Sequence, residues 1–177
     1  QSLESSKSLI YLLLDRRLEN KINDISKSYE VEFIDASIIR RHFFYKKHKN
    51  TFKKILCFAN LPPSVRPQSI VYTYFHQYSY ISLPKEASFV KQFTWFLKRQ
   101  ILRILIRNTD KWLVQSGNVK HELVKKFRLD ENYVKCYPIF SFGKKNQYKE
   151  KKIKNKFVYI SYPYDYKNHF RLIDAFV

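Results

Sequence analysis

His76 and Gln77 close a run of β-branched and aromatic residues, SIVYTYF, at positions 69–75. Such a run reads as a buried strand. A polar pair at its carboxyl end stands where open α/β sheets place their ligands. An imidazole and a carboxamide there can hydrogen-bond hydroxyls or a phosphate. A structural histidine satisfied beside a turn is the other reading, and the residues alone leave both open.

Three further groups could do chemistry. Gln115-Ser116-Gly117 stands at the end of a short apolar run, 111–115 (KWLVQ), and would face the same crevice as His76; it also suits a plain helix cap. Tyr162-Pro163-Tyr164-Asp165-Tyr166-Lys167-Asn168-His169 joins an expected strand to an expected helix. The free N–H groups of a helix start attract phosphate, and a lysine in that first turn fits best with an anion between the two. A solvent-facing lysine in an ordinary loop is the alternative. The last group is basic and aromatic. Positions 40–54 (RRHFFYKKHKNTFKK) hold seven Lys or Arg and no acid, among them Arg40, Arg41, Lys46 and Lys47. Arg99, Arg103 and Arg107 recur at helical spacing and form a second basic stripe. With Phe43, Phe44 and Tyr45, these could rest on anionic headgroups. They could instead stack on single-stranded nucleic acid, or be a solvated face.

The composition frames these groups. The chain has 177 residues, 45% of them hydrophobic, with a net charge of +19. That charge favours an anionic partner: nucleic acid, an acidic membrane surface or a phosphorylated substrate. With no methionine and an end inside an apparent helix, the sequence is expected to be a piece of a longer protein. Its two cysteines, Cys57 and Cys136, make neither a disulfide framework nor a zinc site. The longest apolar run, 9–14 (LIYLLL), is too short to span a bilayer. The two glycines, Gly117 and Gly143, cannot build a dinucleotide fingerprint or a phosphate-binding P-loop. There is no Asp-x-Asp pair, no cluster with metal spacing and no G-x-S-x-G elbow. No metal and no cofactor is expected.

The elements that would position these residues alternate. Strands are expected at 9–14, 31–36, 54–60, 69–75, 111–115 and 134–139. A short polar helix is expected at 16–25, and a helix from Ser116 or Asn118 to Phe127. The longest helix, 89–108, should turn Val90, Phe93, Leu97, Ile101 and Ile104 toward the core. Positions 141–156 carry seven Lys and one Glu and read as a basic linker. A new strand at 157–161 and a helix at 167–176 follow it. The expected fold is α/β: a Rossmann-like open parallel sheet over 1–140, the linker 141–156, and the first strand and helix of a second Rossmann-like domain from 157 to 177.

In this order, four segments resemble bacterial group 1, family 4 retaining glycosyltransferases, which have the two-domain GT-B architecture. They are FANLPP (58–63), YFHQ (74–77), DKWLVQSGNVKHEL (110–123) and FVYISYPYDYKNHFRLIDAF (157–176). The resemblance implies metal-independent transfer of a sugar from a nucleotide-sugar donor, with retention, to a glycan or lipid-linked acceptor in cell-surface polysaccharide synthesis. It implies a cytoplasmic enzyme, peripheral at the inner face of the membrane, with an anionic membrane surface as a partner. It makes His76 the histidine near the transferred sugar and Lys167 the cation on the donor diphosphate. Asn168, Ser161 and Ser116 then lie on the donor side, Gln77 and Gln115 on the acceptor side of the cleft. Two departures stand out. The arginine that relatives carry shortly before that lysine is replaced here by Ser161, Tyr162 and Tyr164. The family's paired glutamates have no counterpart up to Val177, so these residues alone should not catalyse. The rival reading is a non-catalytic basic module that binds nucleic acid or membrane.

Overall fold

The computed structural model describes residues 10–21, 29–83, 87–138 and 169–175. The expected linker, the strand at 157–161, and with them Ser161, Lys167 and Asn168, lie outside the described residues.

Six strands and four helices are described. They run β1 (Tyr11–Asp15), β2 (Glu30–Ile34), α1 (Ile38–Lys47), β3 (Lys54–Cys57), β4 (Ile70–Phe75), α2 (Phe89–Leu105), β5 (Lys111–Val114), α3 (Gly117–Phe127), β6 (Val134–Cys136) and α4 (His169–Asp174). Every pairing among the described strands is parallel, as the alternation of strand and helix requires. The described strands form two sheets rather than one: β1-β2, and a four-stranded sheet in the order β3-β4-β5-β6. β4 is an inner strand, and Val71, Thr73, Tyr74 and Phe75 are buried along it. The fold is therefore mixed α/β with parallel sheets.

Register and alternation put Cys57, Thr73, Trp112 and Val134 in one row on one face, followed by Phe75, Val114 and Cys136. The helices pack on this face. Trp95 and Leu102 of α2 and Leu123 of α3 join Phe75, Trp112, Val114 and Val134 in one core. Phe44 and Tyr45 of α1 join Cys57 and Val71 in a second core, which reaches Tyr11, Leu13 and Ile34 of the smaller sheet. Along the opposite face, Leu56, Ile70 and Tyr137 are exposed.

Three sequence expectations need correcting. Of the helix expected at 16–25, the described part, Arg16–Lys21, is a 3-10 turn in which Arg17 hydrogen-bonds Asp15, and 22–25 lie outside the described residues. The stretch 40–54, expected only as a basic surface, begins inside a helix, Ile38–Lys47. Ser37 caps it, its hydroxyl accepting from the Arg40 N–H at 3.5 Å. Two of that stretch's aromatics, Phe44 and Tyr45, are core residues, so only Phe43 is exposed.

The third correction concerns α2. Four of the five residues of the expected inward stripe are exposed, Val90 at 74%, Phe93 at 54%, Leu97 at 47% and Ile104 at 70%, and Ile101 is half-buried. The helix instead turns Trp95 and Leu102 inward. Trp95 meets Tyr80 edge-on at 5.1 Å, and Arg99, one turn on, donates to the carbonyls of Tyr80 and Ser79 at 2.9 and 3.0 Å. A large indole with a matching ring, plus a guanidinium that satisfies two loop carbonyls, fixes the rotation.

Asp110 ties the entry of β5 to the entry of β4. Its carboxylate accepts the Val71 N–H at 2.7 Å and pairs with Arg66 at 2.5 Å, while its own N–H donates to the Val71 carbonyl at 2.9 Å. Partial burial by itself would raise the carboxyl pKa, but the Arg66 and Val71 hydrogen bonds outweigh it and hold it below the ordinary value. A depressed folded-state pKa adds stability that is complete above the unfolded value, about 3.9, and is lost as pH falls through the folded one. Asp110→Asn should therefore flatten the loss of stability below about pH 4, measured as the urea midpoint against pH. An unchanged acid limb would refute the assignment.

Candidate functional site at the carboxyl ends of the sheet

The chain leaves β3 through Phe58-Ala59-Asn60 and turns at Leu61-Pro62-Pro63, whose prolines are buried. Neither proline has an N–H for a ladder, so the strand must stop. Asn60 makes the turn in the left-handed region, at φ 63°, where asparagine is among the better-tolerated side chains. It is only 4% exposed, so its polar groups need partners. Its Oδ1 accepts from the backbone N–H of His76 at 2.7 Å and of Gln77 at 2.9 Å. That orients the amide and turns Nδ2 toward His76 Nε2, 3.4 Å away. An amide nitrogen only donates, so Nε2 is the acceptor and the neutral ring carries its proton on Nδ1. One buried side chain thus sets both the backbone path of His76-Gln77 and the tautomer of the imidazole.

The ring belongs to an aromatic row. Phe58 stacks on Tyr74 at 5.0 Å and on His76 at 5.6 Å. The Tyr74 hydroxyl donates to the Tyr137 carbonyl of the segment after β6. Phe58, Tyr74 and His76 alternate onto the sheet face that α1, α2 and α3 leave free. His76 and Gln77 are exposed, and Phe58 is 53% exposed. The site therefore offers a hydrogen-bonding imidazole beside an apolar ring face, open to solvent.

Gln115 and Ser116 extend the same rim. Phe75 pairs with Val114 in the ladder, so His76 and Gln115 leave neighbouring strands at the same level. Both Gln115 and Ser116 are exposed. Ser116 is the cap of α3, its hydroxyl accepting from the Val119 N–H at 3.4 Å. A Cβ added to Gly117 would meet nothing within 4 Å, so the first turn of α3 is open space. His76, Gln77, Gln115 and Ser116 are thus brought to one edge. The proposed partners across the cleft, Lys167, Asn168 and Ser161, are outside the described residues.

No family model matches the sequence, no curated protein matches it, and no solved structure matches its fold. Among the described residues there is no group of three or more His, Cys, Asp or Glu that could hold a metal ion.

The expected anion surface divides in two. Arg40 pairs with Asp35 at 2.6 Å, and Arg16 reaches the same carboxylate at 3.5 Å. Arg41 is half-buried, beside Tyr45 and Cys57. Burial pushes the Cys57 thiol up, and its sulfur lies 3.6 Å from the Tyr45 hydroxyl. Lys46 and Lys47 are exposed in the last turn of α1, where a cation complements the helix dipole. Arg99 is committed to Ser79 and Tyr80; Arg103 and Arg107 are exposed, Arg103 reaching Gln100 at 3.3 Å.

Asn60 and Phe58 escaped the reading of single residues as chemistry. An asparagine directly before Leu-Pro-Pro, where a buried strand must end in a tight turn, was the available signal. Asn60→Ala should cost about 1–3 kcal/mol, because two N–H groups lose their acceptor and a Cβ without a polar group stays at positive φ. Asn60→Gly should recover part of that loss by relieving the backbone. Equal destabilisation of the two variants in urea unfolding would show that the left-handed turn is not strained.

Proposed function

We propose that this chain supplies the acceptor-side domain of a retaining glycosyltransferase that moves a sugar from a nucleotide-sugar donor to a glycan or lipid-linked acceptor. The observation that carries the reading is the fixed imidazole of His76 at the carboxyl end of an inner parallel strand. It is supported by Gln115 and Ser116 on the adjacent rim and by the four ordered segments that resemble the GT-B enzymes.

The chemistry follows from the geometry. With Nε2 accepting from Asn60, the Nδ1–H of His76 is the free donor, available to a sugar hydroxyl or to a phosphate oxygen. A donor held in place before substrate arrives stabilises charge as the glycosidic bond breaks, without reorganisation at that moment. The exposed face of Phe58 beside it can pack against the apolar side of a sugar ring. In this reading Lys167 neutralises the departing diphosphate, the role a metal ion would otherwise fill, with Ser161 and Asn168 alongside. Gln77 and Gln115 contact the acceptor.

Of the rival, a non-catalytic basic module that binds nucleic acid or membrane, the nucleic-acid form draws less support. Of the three aromatics set among the arginines and lysines of α1, Phe44 and Tyr45 are in the core and cannot stack on bases.

In the intact gene product, His76→Ala should lower sugar transfer by about 100-fold or more while leaving nucleotide-sugar affinity within about threefold. Lys167→Ala should weaken donor binding. Full transfer activity in both variants would overturn the proposal.

A further inference from the structure

The four strands of the larger sheet end on one rim. The segments that leave them are 58–63 (FANLPP), 76–83 (HQYSYISL), 115–119 (QSGNV) and 137–138 (YP). None contains a Lys, Arg, Asp or Glu, in a chain that is 28% charged and carries a net charge of +19. The strand cations of the helix-free face, Lys54, Lys111 and Lys135, stand at least one register step lower. The uncharged rim is also ordered. Phe75 pairs with Val114 and Val114 with Cys136, so the next residues, His76, Gln115 and Tyr137, form one row across β4, β5 and β6. The Tyr137 N–H donates to the Val114 carbonyl at 2.7 Å, and the Tyr137 carbonyl accepts from the Tyr74 hydroxyl at 3.2 Å. These two bonds carry the ladder one residue past β6. Alternation puts the three side chains on the face that the helices leave free. Tyr137 is 65% exposed, and His76 and Gln115 are exposed. Phe58 stacks on His76 at the other end of the row. An imidazole and a carboxamide thus lie between two open aromatic rings.

We propose that the acceptor bound on this rim is an uncharged glycan at least two sugar units long, with Tyr137 as the specificity-determining residue for the unit beyond the one at His76. The inference rests on the transferase reading and narrows its acceptor. A carboxylate or phosphate on the acceptor calls for a guanidinium or ammonium at short range. The rim supplies none, although the chain has 34 Lys and Arg. A sugar hydroxyl both donates and accepts. Carboxamides, a serine hydroxyl and a phenol do the same, and these are the groups of Gln77, Gln115, Ser116 and Tyr137. The C–H faces of a pyranose are apolar and pack on aromatic rings, which Phe58 and Tyr137 offer. Adjacent strands lie about 4.8 Å apart, so the row from His76 to Tyr137 is about 10 Å long, farther than one sugar ring extends. A unit held at His76 and Phe58 therefore leaves space for a second over Gln115, against Tyr137.

The test is an NMR titration of the 177-residue chain, followed at the His76 imidazole, whose signals His76→Ala identifies by their loss. The probes are methyl hexosides, neutral di- and trisaccharides of hexose and N-acetylhexosamine, and the same lengths carrying a uronic acid or a sugar phosphate. Salt at about 0.3 M screens the net charge. Neutral di- and trisaccharides should shift the imidazole signals, with affinity about tenfold or more above the single hexosides. Tyr137→Ala should abolish that gain and Tyr137→Phe should keep most of it. The ring is exposed, so both variants should unfold at the parent's temperature. Tighter binding of the anionic probes, equal affinity for one and two units, indifference to Tyr137→Ala, or no neutral glycan moving His76 would overturn the proposal. So would a marked fall in the thermal midpoint of Tyr137→Ala, which would make the ring a packing residue. No sugar donor is present in the titration. The glycan site can therefore fail while the intact gene product still transfers sugar, and it can stand while transfer is absent.

Discussion

The buried amide of Asn60 is the constraint from which the candidate site follows. A strand end is where a backbone runs out of ladder partners, and exposed N–H groups there would leave the next residues free to wander. Asn60 supplies the missing acceptor for two successive N–H groups and, with the other half of the same amide, a donor for the imidazole. Asparagine does this because it is short enough to reach its neighbour strand and can sit at positive φ. An aspartate would accept both N–H groups equally well but would present a second acceptor to Nε2. A glutamine would place its amide one methylene farther out. The geometry of His76 is therefore written as much in the end of β3 as in β4.

The helices' choice of one sheet face has a second consequence. α1, α2 and α3 all pack on the side of Cys57, Thr73 and Phe75, so alternation sends Phe58, Tyr74 and His76 to the side without them. The buried ring of Tyr74 stacks against Phe58 and its hydroxyl holds the carbonyl after β6, so the row is braced at both ends. An imidazole in that setting has its plane fixed by stacking and its tautomer fixed by hydrogen bonding, and keeps one donor for something outside the protein.

Much of this was legible from the residues. Short β-branched and aromatic runs between helical segments give parallel strands, and the limits of β4, β5 and α3 fall within a residue of where SIVYTYF, KWLVQ and Ser116 place them. The positions of His76, Gln77, Gln115 and Ser116 at one edge follow from the same alternation. Helix orientation was not legible, for a physical reason. In α2 apolar residues occupy both sides, so counting matches to a 3.6-residue period finds a stripe without saying which stripe faces inward. What decides is long-range: Tyr80 waiting for Trp95, and two loop carbonyls waiting for Arg99. In α1 the charge of its first and last turns masked a helix whose middle residues, Phe44 and Tyr45, fill the second core. The separation of β1-β2 from the larger sheet likewise depends on contacts that no local pattern encodes.

The energetics of α2 carry the reading one step further. Fully burying a single Phe, Val or Leu side chain is worth about 1.5–3 kcal/mol, and this helix leaves six such side chains largely in water. The sheet can take only one side of it, and the side it takes includes a guanidinium whose burial is tolerable because two carbonyls accept from it. The rotation thus leaves unrealised a burial term of the order of a whole domain's net stability. No rearrangement within the sheet's own layer can recover it without exposing Trp95 and Leu102.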